Sequence, residues 1–320
     1  MQVETARDFP IEHRRPKKFL ISGGAGFLGS HLCRHFLDWQ VDESGSFASS
    51  NRIFCLDNMS KGRDNIDDLV DKPTFQVISR SFGRESLDVP ILDDIGYILH
   101  FASYPSPKDH KRLPIETLMA DTFGTMHMVE MAFKKQAVFL LASTGHIDLE
   151  SNPTEPTGIY CEGKRWAEAY TMAHHRCFGT ETRIVRMFNS YGPGMRVDDG
   201  RVVPTFIVKA LRGERLTIMG GDQLMSLTYI DDMVDGIEKV LYGNISEPVE
   251  LGDPRRINVY LLAKLIITLS GSNSKLEIVP QGVKDEKRPN LERAKSLGWN
   301  PKIGIEEGMA RTIEYFRKIV

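Results

Sequence analysis

The sequence predicts an α/β fold: a doubly wound parallel sheet followed by a smaller C-terminal α/β domain. Three observations predict it. Short apolar runs alternate with helical patterns over the first 190 residues. A glycine-rich turn follows the first run at once. After residue 190 the texture changes, with more Gly and Pro and shorter segments. Parallel strands need crossover connections, so alternating strands and helices imply helices on both faces of one sheet.

The elements follow in order. Residues 17–22 read as the first strand, and 26–37 as a helix with Phe27, Leu28, His31, Leu32, His35 and Phe36 on helical spacing. Gln40 to Asn51 is rich in Ser, Gly and acids and reads as a surface insertion. Further strands are expected at 52–56, 75–79, 97–102, 138–142 and 182–187. The clearest helix runs from Pro114 to Lys135, with Ile115, Leu118, Met119, Met126, Val129 and Phe133 as its apolar face; another is expected over 160–177. The expected division is a first domain over 17–190, with 221–245 returning to it, and a second built mainly from 191–320. Residues 1–16 read as a flexible leader.

Composition narrows the function. A chain of 320 residues with 41% hydrophobic content can bury a real core. A net charge of -2 offers no basic field for nucleic acid. No apolar run reaches the length of a membrane span, and the polar N-terminus has no signal-like core, so a cytoplasmic protein is expected. Cys33, Cys55, Cys161 and Cys177 are scattered and read as reduced thiols. His174, His175 and Cys177 are the nearest approach to a metal cluster, but neighbouring helical residues point in different directions, so no metal site is expected.

Gly23-Gly24-Ala25-Gly26-Phe27-Leu28-Gly29 joins the first strand to the first helix. Gly23, Gly26 and Gly29 allow a tight turn and close backbone approach to a pyrophosphate, and the helix N-terminus offers free N–H groups to that anion. The competing reading is a glycine turn with no ligand; the strand before and the helix after favour a dinucleotide. The fold is therefore expected to be Rossmann-type. Asp57 ends the second strand, where a carboxylate accepts from a ribose 2′-hydroxyl and repels a 2′-phosphate, so NAD is expected over NADP.

Tyr160 and Lys164 lie four apart on a predicted helix and share one face. Free tyrosine ionises at about pH 10, and a nearby ammonium and a nicotinamide cation favour the phenolate. Such a phenolate takes a proton from a sugar hydroxyl while hydride leaves the same carbon. This spacing is common on helix surfaces by chance. Its weight here comes from its place after a nucleotide fold and from Ser143-Thr144 at the end of a strand.

With these residues in place, the chain resembles the extended short-chain dehydrogenases that rework nucleotide sugars, and is most similar to the UDP-glucuronate decarboxylase branch. The resemblance rests on GGAGFLGSHL (23–32), LDNMSKGRDN (56–65), HFAS (100–103), YCEGKRWAE (160–168), RMFNSYGPGMRVDDGRVVPTFI (186–207), TYIDD (228–232) and LGW (297–299). It implies NAD as cofactor and a nucleotide-sugar substrate. It implies oxidation at C4 of the sugar and loss of carbon dioxide from a C6 carboxylate β to the new ketone. Thr144, Tyr160 and Lys164 are then catalytic. Phe27, Leu28, Asn58 and Ala102 join Gly23, Gly26, Gly29, Asp57 and Lys164 around the cofactor. Ser103, Asn189, Arg196, Arg201, Val203, Lys287 and Arg288 serve the substrate. A homodimer through a four-helix bundle, from the 115–135 and 160–177 helices of each subunit, is also implied.

The sequence departs from that branch at four places. His146 stands where the decarboxylases carry a Glu, either as a substitute acid–base group or as a residue that fills space or binds substrate. The loop from His146 to Tyr160 is shorter. Met225 occupies the position of a phosphate-binding Arg, so either Lys287, Arg288 or Arg196 compensates or the substrate carries no ordinary nucleoside diphosphate. Asp121 stands in place of Asn. His146, Met225 and the shorter loop favour an alternative, a redox-neutral 4-epimerase or related enzyme on an unusual sugar nucleotide; a second alternative, a non-catalytic NAD-binding regulator, is opposed by the intact Tyr160/Lys164 pair.

Overall fold

The main sheet has seven strands, and every pairing within it is parallel. The structure, a computed structural model, describes residues 18–38, 51–82, 93–148, 156–282 and 287–320. The expected leader, all but the last residue of the 40–51 insertion, and part of the short loop before Tyr160 lie outside the described residues.

In chain order the strands are β1 (Lys18–Ser22), β2 (Arg52–Asp57), β3 (Phe75–Ser79), β4 (Ile95–His100), β5 (Val138–Thr144), β6 (Thr182–Met187) and β7 (Asn189–Tyr191). They continue with β8 (Leu216–Met219), β9 (Leu224–Met225), β10 (Leu227–Tyr229), β11 (Val249–Leu251), β12 (Ile257–Asn258) and β13 (Leu276–Val279). The helices are α1 (Phe27–Asp38), α2 (Pro107–Arg112), α3 (Pro114–Met119), α4 (Thr125–Lys135) and α5 (Pro156–Phe178). They continue with α6 (Val202–Leu211), α7 (Ile230–Tyr242), α8 (Val259–Ser270), α9 (Glu292–Ser296) and α10 (Ile305–Phe316). The main sheet runs β11-β6-β5-β4-β1-β2-β3, and the pairs β7–β10, β8–β13 and β9–β12 stand apart from it.

Alternation along β1 divides the core in two. Phe19 and Ile21 face one side and join the cluster that includes Leu32 and Phe36 of α1 and Met233 and Ile237 of α7. Leu20 faces the other side with Met128 and Val129 of α4 and Ala167 of α5. A strand buried on both faces must be apolar at successive positions, which explains the near-continuous apolar runs.

Three of the differences from the expected bounds bear on the site. The strand expected over 97–102 is β4, ending at His100. Phe101 still donates to Ser22 O at 2.9 Å, but the chain then turns past Gly23. The strand expected over 138–142 continues through Thr144, because Ser143 and Thr144 pair in register with Arg186 and Met187. The expected helix from Pro114 to Lys135 is interrupted by a π-helical turn over Ala120–Gly124. Thr117, Thr122 and Thr125 return their hydroxyls to the carbonyls of Leu113, Leu118 and Asp121 at 2.8, 2.5 and 2.7 Å. Such back-bonding competes with the regular ladder and bends helices.

The C-terminal segment is pinned to the first layer by Trp299. Its ring is 1% exposed, its Nε1–H donates to Asp232 O at 2.9 Å, and Gly236 of α7 leaves room for it. Trp299→Ala is expected to destabilise the fold by about 3–5 kcal/mol, the usual cost of emptying a large aromatic site. Denaturant unfolding checks this; a loss below the error of the measurement would show that the ring is not an anchor.

Candidate functional site

Strand order reverses between β1 and β4, and a cleft opens at their C-terminal ends, where such sheets bind ligands. The chain leaving β1 turns at Gly23, whose φ of +71° suits glycine. A Cβ there would lie 2.6 Å from Ala102 N, and one on Gly29 would lie 2.1 Å from Gly23 O. Gly26 N donates to Gly23 O at 3.1 Å, and Ser30 N to Gly26 O at 3.0 Å, so the turn passes directly into α1. Gly23, Gly26, Phe27, Leu28, Gly29, Asp57, Asn58 and Ala102 all line the cleft.

Asp57 is fixed by backbone donors: Ala25 N reaches Oδ2 at 3.1 Å and Met59 N reaches Oδ1 at 2.9 Å. Burial pushes its carboxyl above the ordinary range, and these donors pull it back. The stripped-down cradle and the anchored carboxylate fit a dinucleotide: the glycines would admit the pyrophosphate and Asp57 would hold a ribose.

On the other side of the reversal, α5 brings Tyr160 and Lys164 to the cleft. Lys164 is 3% exposed; its Nζ donates to Ala142 O at 3.0 Å and pairs with Asp121 Oδ1 at 2.8 Å. It also lies 5.8 Å from the centre of the Tyr160 ring. Burial raises the Tyr160 phenol well above its usual value; the charge of Asp121 adds to this, and the Thr144 hydroxyl and Arg201 oppose it. The two hydroxyls ending β5 have different fates. Ser143 Oγ donates to Glu168 Oε1 at 2.6 Å, and Arg186 grips the same carboxylate through two nitrogens at 2.9 and 2.7 Å. Thr144 is left to face Tyr160 and His146, whose Nδ1 is 3.4 Å from its Oγ1.

His100 closes β4. Its Nδ1 accepts from Ser22 at 2.6 Å and its Nε2 donates to Ala120 O at 3.2 Å. Burial, with the Lys164 charge second, pushes the imidazole down to about 3, so it is a neutral brace between β1 and the π-helical turn.

Of the residues expected to serve the substrate, Ser103, Arg196 and Arg201 line the cleft. Arg201 is held by Asp199 through two contacts of 2.5 and 2.7 Å. Asn189 donates to Ser226 O at 3.2 Å, and Val203 is packed into the core. Lys287 pairs with Glu250 at 3.1 Å and Arg288 is exposed; neither lines this cleft.

A model of the NAD dependent epimerase/dehydratase family matches residues 19–259. The chain belongs to this family. Among curated members it is 35% identical to UDP-glucuronic acid decarboxylase 1 of Xenopus tropicalis, over 96% of this chain and 74% of that one. It is also 35% identical to UDP-glucuronic acid decarboxylase 5 of Arabidopsis thaliana, over 94% and 89%. Among solved structures, UDP-glucose 4-epimerase from Thermotoga maritima with UDP-glucose superposes with a TM-score of 0.79 at 26% identity, covering 94% and 99% of the two chains. UDP-N-acetylglucosamine 4-epimerase from Methanobrevibacter ruminantium shares the fold, with a TM-score of 0.82 at 18% identity and coverage of 96% and 100%.

Within this epimerase/dehydratase frame, the structure adds groups that the sequence reading did not place. The His110 ring stacks on Tyr160 with centroids 4.6 Å apart. Lys61 pairs with Asp109 at 2.5 Å and lies over the Tyr104 ring, while Asn58 donates to the Tyr104 hydroxyl at 3.3 Å. These contacts tie the β2 end to the segment after β4. Their sequence signal was only a local run of aromatic, basic and acidic residues over 104–112. Met225 is half-buried, paired with Ile257 and packed against the core. Among the described residues, no cluster of three or more His, Cys, Asp or Glu is arranged to hold a metal, and no helix is long and apolar enough to cross a membrane.

Gly23→Val combines a left-handed backbone cost of about 1–3 kcal/mol with a collision at Ala102. Purified protein should carry at least about tenfold less NAD, the equivalent of about 1.4 kcal/mol. Quantifying nucleotide released on denaturation tests this; undiminished NAD would exclude the glycine turn as its cradle.

Proposed function

We propose that this chain oxidises C4 of a nucleotide-linked hexuronate and that UDP-glucuronate decarboxylation is its reaction. The carrying observation is Tyr160 beside Thr144 and Lys164, three strands away from Asp57 across the strand-order reversal. Three strand spacings amount to about 14 Å, a fitting span for a dinucleotide laid over the sheet edge. The identity to UDP-glucuronic acid decarboxylases supports the choice of substrate.

Bound NAD supplies the hydride acceptor for the first half of the reaction and the donor for the second. Tyr160, as phenolate, takes the proton from the C4 hydroxyl, and Thr144 steadies that oxygen. Lys164 offers its ammonium to the cofactor ribose and the phenolate. Loss of proton and hydride leaves a ketone at C4, β to the C6 carboxylate. The C5–C6 bond breaks, carbon dioxide leaves, and the electron pair passes to the ketone oxygen as an enolate. A proton at C5, the returned hydride at C4 and the proton returned by Tyr160 complete the balance. His146, beside Thr144, is suited to the C5 proton, since its ring nitrogens can both give and take one. Arg196 and Arg201 supply positive charge for the anionic substrate.

A second reading, a 4-epimerase, is favoured by His146 in place of Glu and by Met225 in place of Arg. Both readings need Tyr160. Incubating NAD-loaded protein with UDP-glucuronate and weighing the product separates them. Loss of one carbon dioxide is expected; unchanged mass with altered stereochemistry would support epimerisation. Tyr160→Phe should lower kcat by about 10²–10⁴-fold, the usual share of a positioned acid–base group, with bound NAD retained. Full turnover in that variant would remove Tyr160 from the mechanism.

We also propose a cytoplasmic homodimer formed through α4 and α5. None of its four cysteines forms a disulfide, which suits a reducing compartment. Trp166, Tyr170, His174 and Phe178 form a ladder along α5 with centroid spacings of 4.8, 6.1 and 4.7 Å, and Phe133 of α4 joins it at 5.7 Å. Phe133 and Phe178 are 47% and 59% exposed, an apolar strip suited to burial against a second copy. Sedimentation equilibrium should give twice the chain mass; the mass of one chain would refute the dimer.

A further inference from the structure

Behind the cleft lies a carboxylate that the proposed chemistry does not use. Asp121 is 0% exposed and reaches its place through two devices. The π-helical turn bears it, braced by His100 at the Ala120 carbonyl. Gly163 of α5 leaves room for it: a Cβ on Gly163 would lie 3.0 Å from the Asp121 Cβ and 3.1 Å from Oδ2. Widened turns of this kind occur often at functional sites. The reward for both is the ion pair with Lys164 at 2.8 Å.

We propose that Asp121 is a positioning residue that holds Lys164 and offsets its charge, so that Tyr160 is activated only at higher pH than a lone lysine would permit. This rests on Tyr160 as the acid–base group. An anion paired with Lys164 weakens the attraction between ammonium and phenolate and repels the phenolate directly. The other groups facing Tyr160 are Lys164 and Cys161 of α5, Thr144 of β5, Arg201 before α6 and His110 of α2. Arg201 is itself paired with Asp199, and neutral His100 faces Lys164 from β4. Asp121 is therefore the nearby charge whose removal changes the balance without deleting a group that touches substrate.

The test is a phenolate difference titration of NAD-loaded protein, with Tyr160→Phe as the blank, beside the pH profile of kcat. Asp121→Asn should move the Tyr160 midpoint down by about one pH unit, a modest shift for loss of a neighbouring charge. The acidic limb of kcat should move with it. Asp121→Ser, a smaller neutral replacement, should shift the same way and serves if the Asn variant folds poorly. Lys164→Met should shift the midpoint up. A midpoint unchanged or raised in both neutral variants overturns the proposal. The absorbance titration needs no substrate, so it still decides the matter if the proposed reaction fails.

Discussion

The close approach of two backbones, at Gly23 and Ala102, is the constraint on which the cleft depends. Parallel strands sit less than 5 Å apart, and the chains leaving β1 and β4 must diverge at once to open a crevice. A side chain on Gly23 would fill the gap before any ligand did. With that gap open, β2 delivers Asp57 on one side and β5 delivers Thr144 on the other. The cofactor cradle and the chemical groups are thus two consequences of a single strand reversal.

Charge management forms the next layer. Three ion pairs hold charge in and around the cleft: Lys164 with Asp121, Arg186 with Glu168, and Arg201 with Asp199. A lone buried charge is expensive, whereas a pair with matched geometry is tolerable. Pairing also assigns roles. Glu168 engages Ser143 and so leaves Thr144 as the hydroxyl presented to Tyr160. His100, kept neutral by burial, acts as a rigid spacer with one donor and one acceptor used.

Much of this was legible in the sequence. Short apolar runs alternating with helical patterns marked the sheet, and the glycine turn marked the cofactor side of the cleft, because those signals are local. The Tyr160/Lys164 spacing was visible because a helix repeats every 3.6 residues. The π-helical turn was not visible: the apolar face from Ile115 to Phe133 reads as one helix, and the threonine hydroxyls that reshape it are ordinary helix residues in sequence. The His110–Tyr160 stack joins residues fifty positions apart and left no periodic trace. Lys287 is drawn to Glu250 by a pairing that only the folded chain establishes.

The π-helical turn has an evolutionary reading as well. Such a turn accommodates one residue more than the regular helix around it. Deleting a single codon there would let α3 and α4 fuse into one regular helix that keeps the apolar faces on both sides in place. Only the residues of the turn itself, Asp121 among them, would change their surroundings, while the apolar stripe of α4 remained on the sheet. The buried ion pair with Lys164 thus hangs on one extra residue in a helix that would otherwise run straight through.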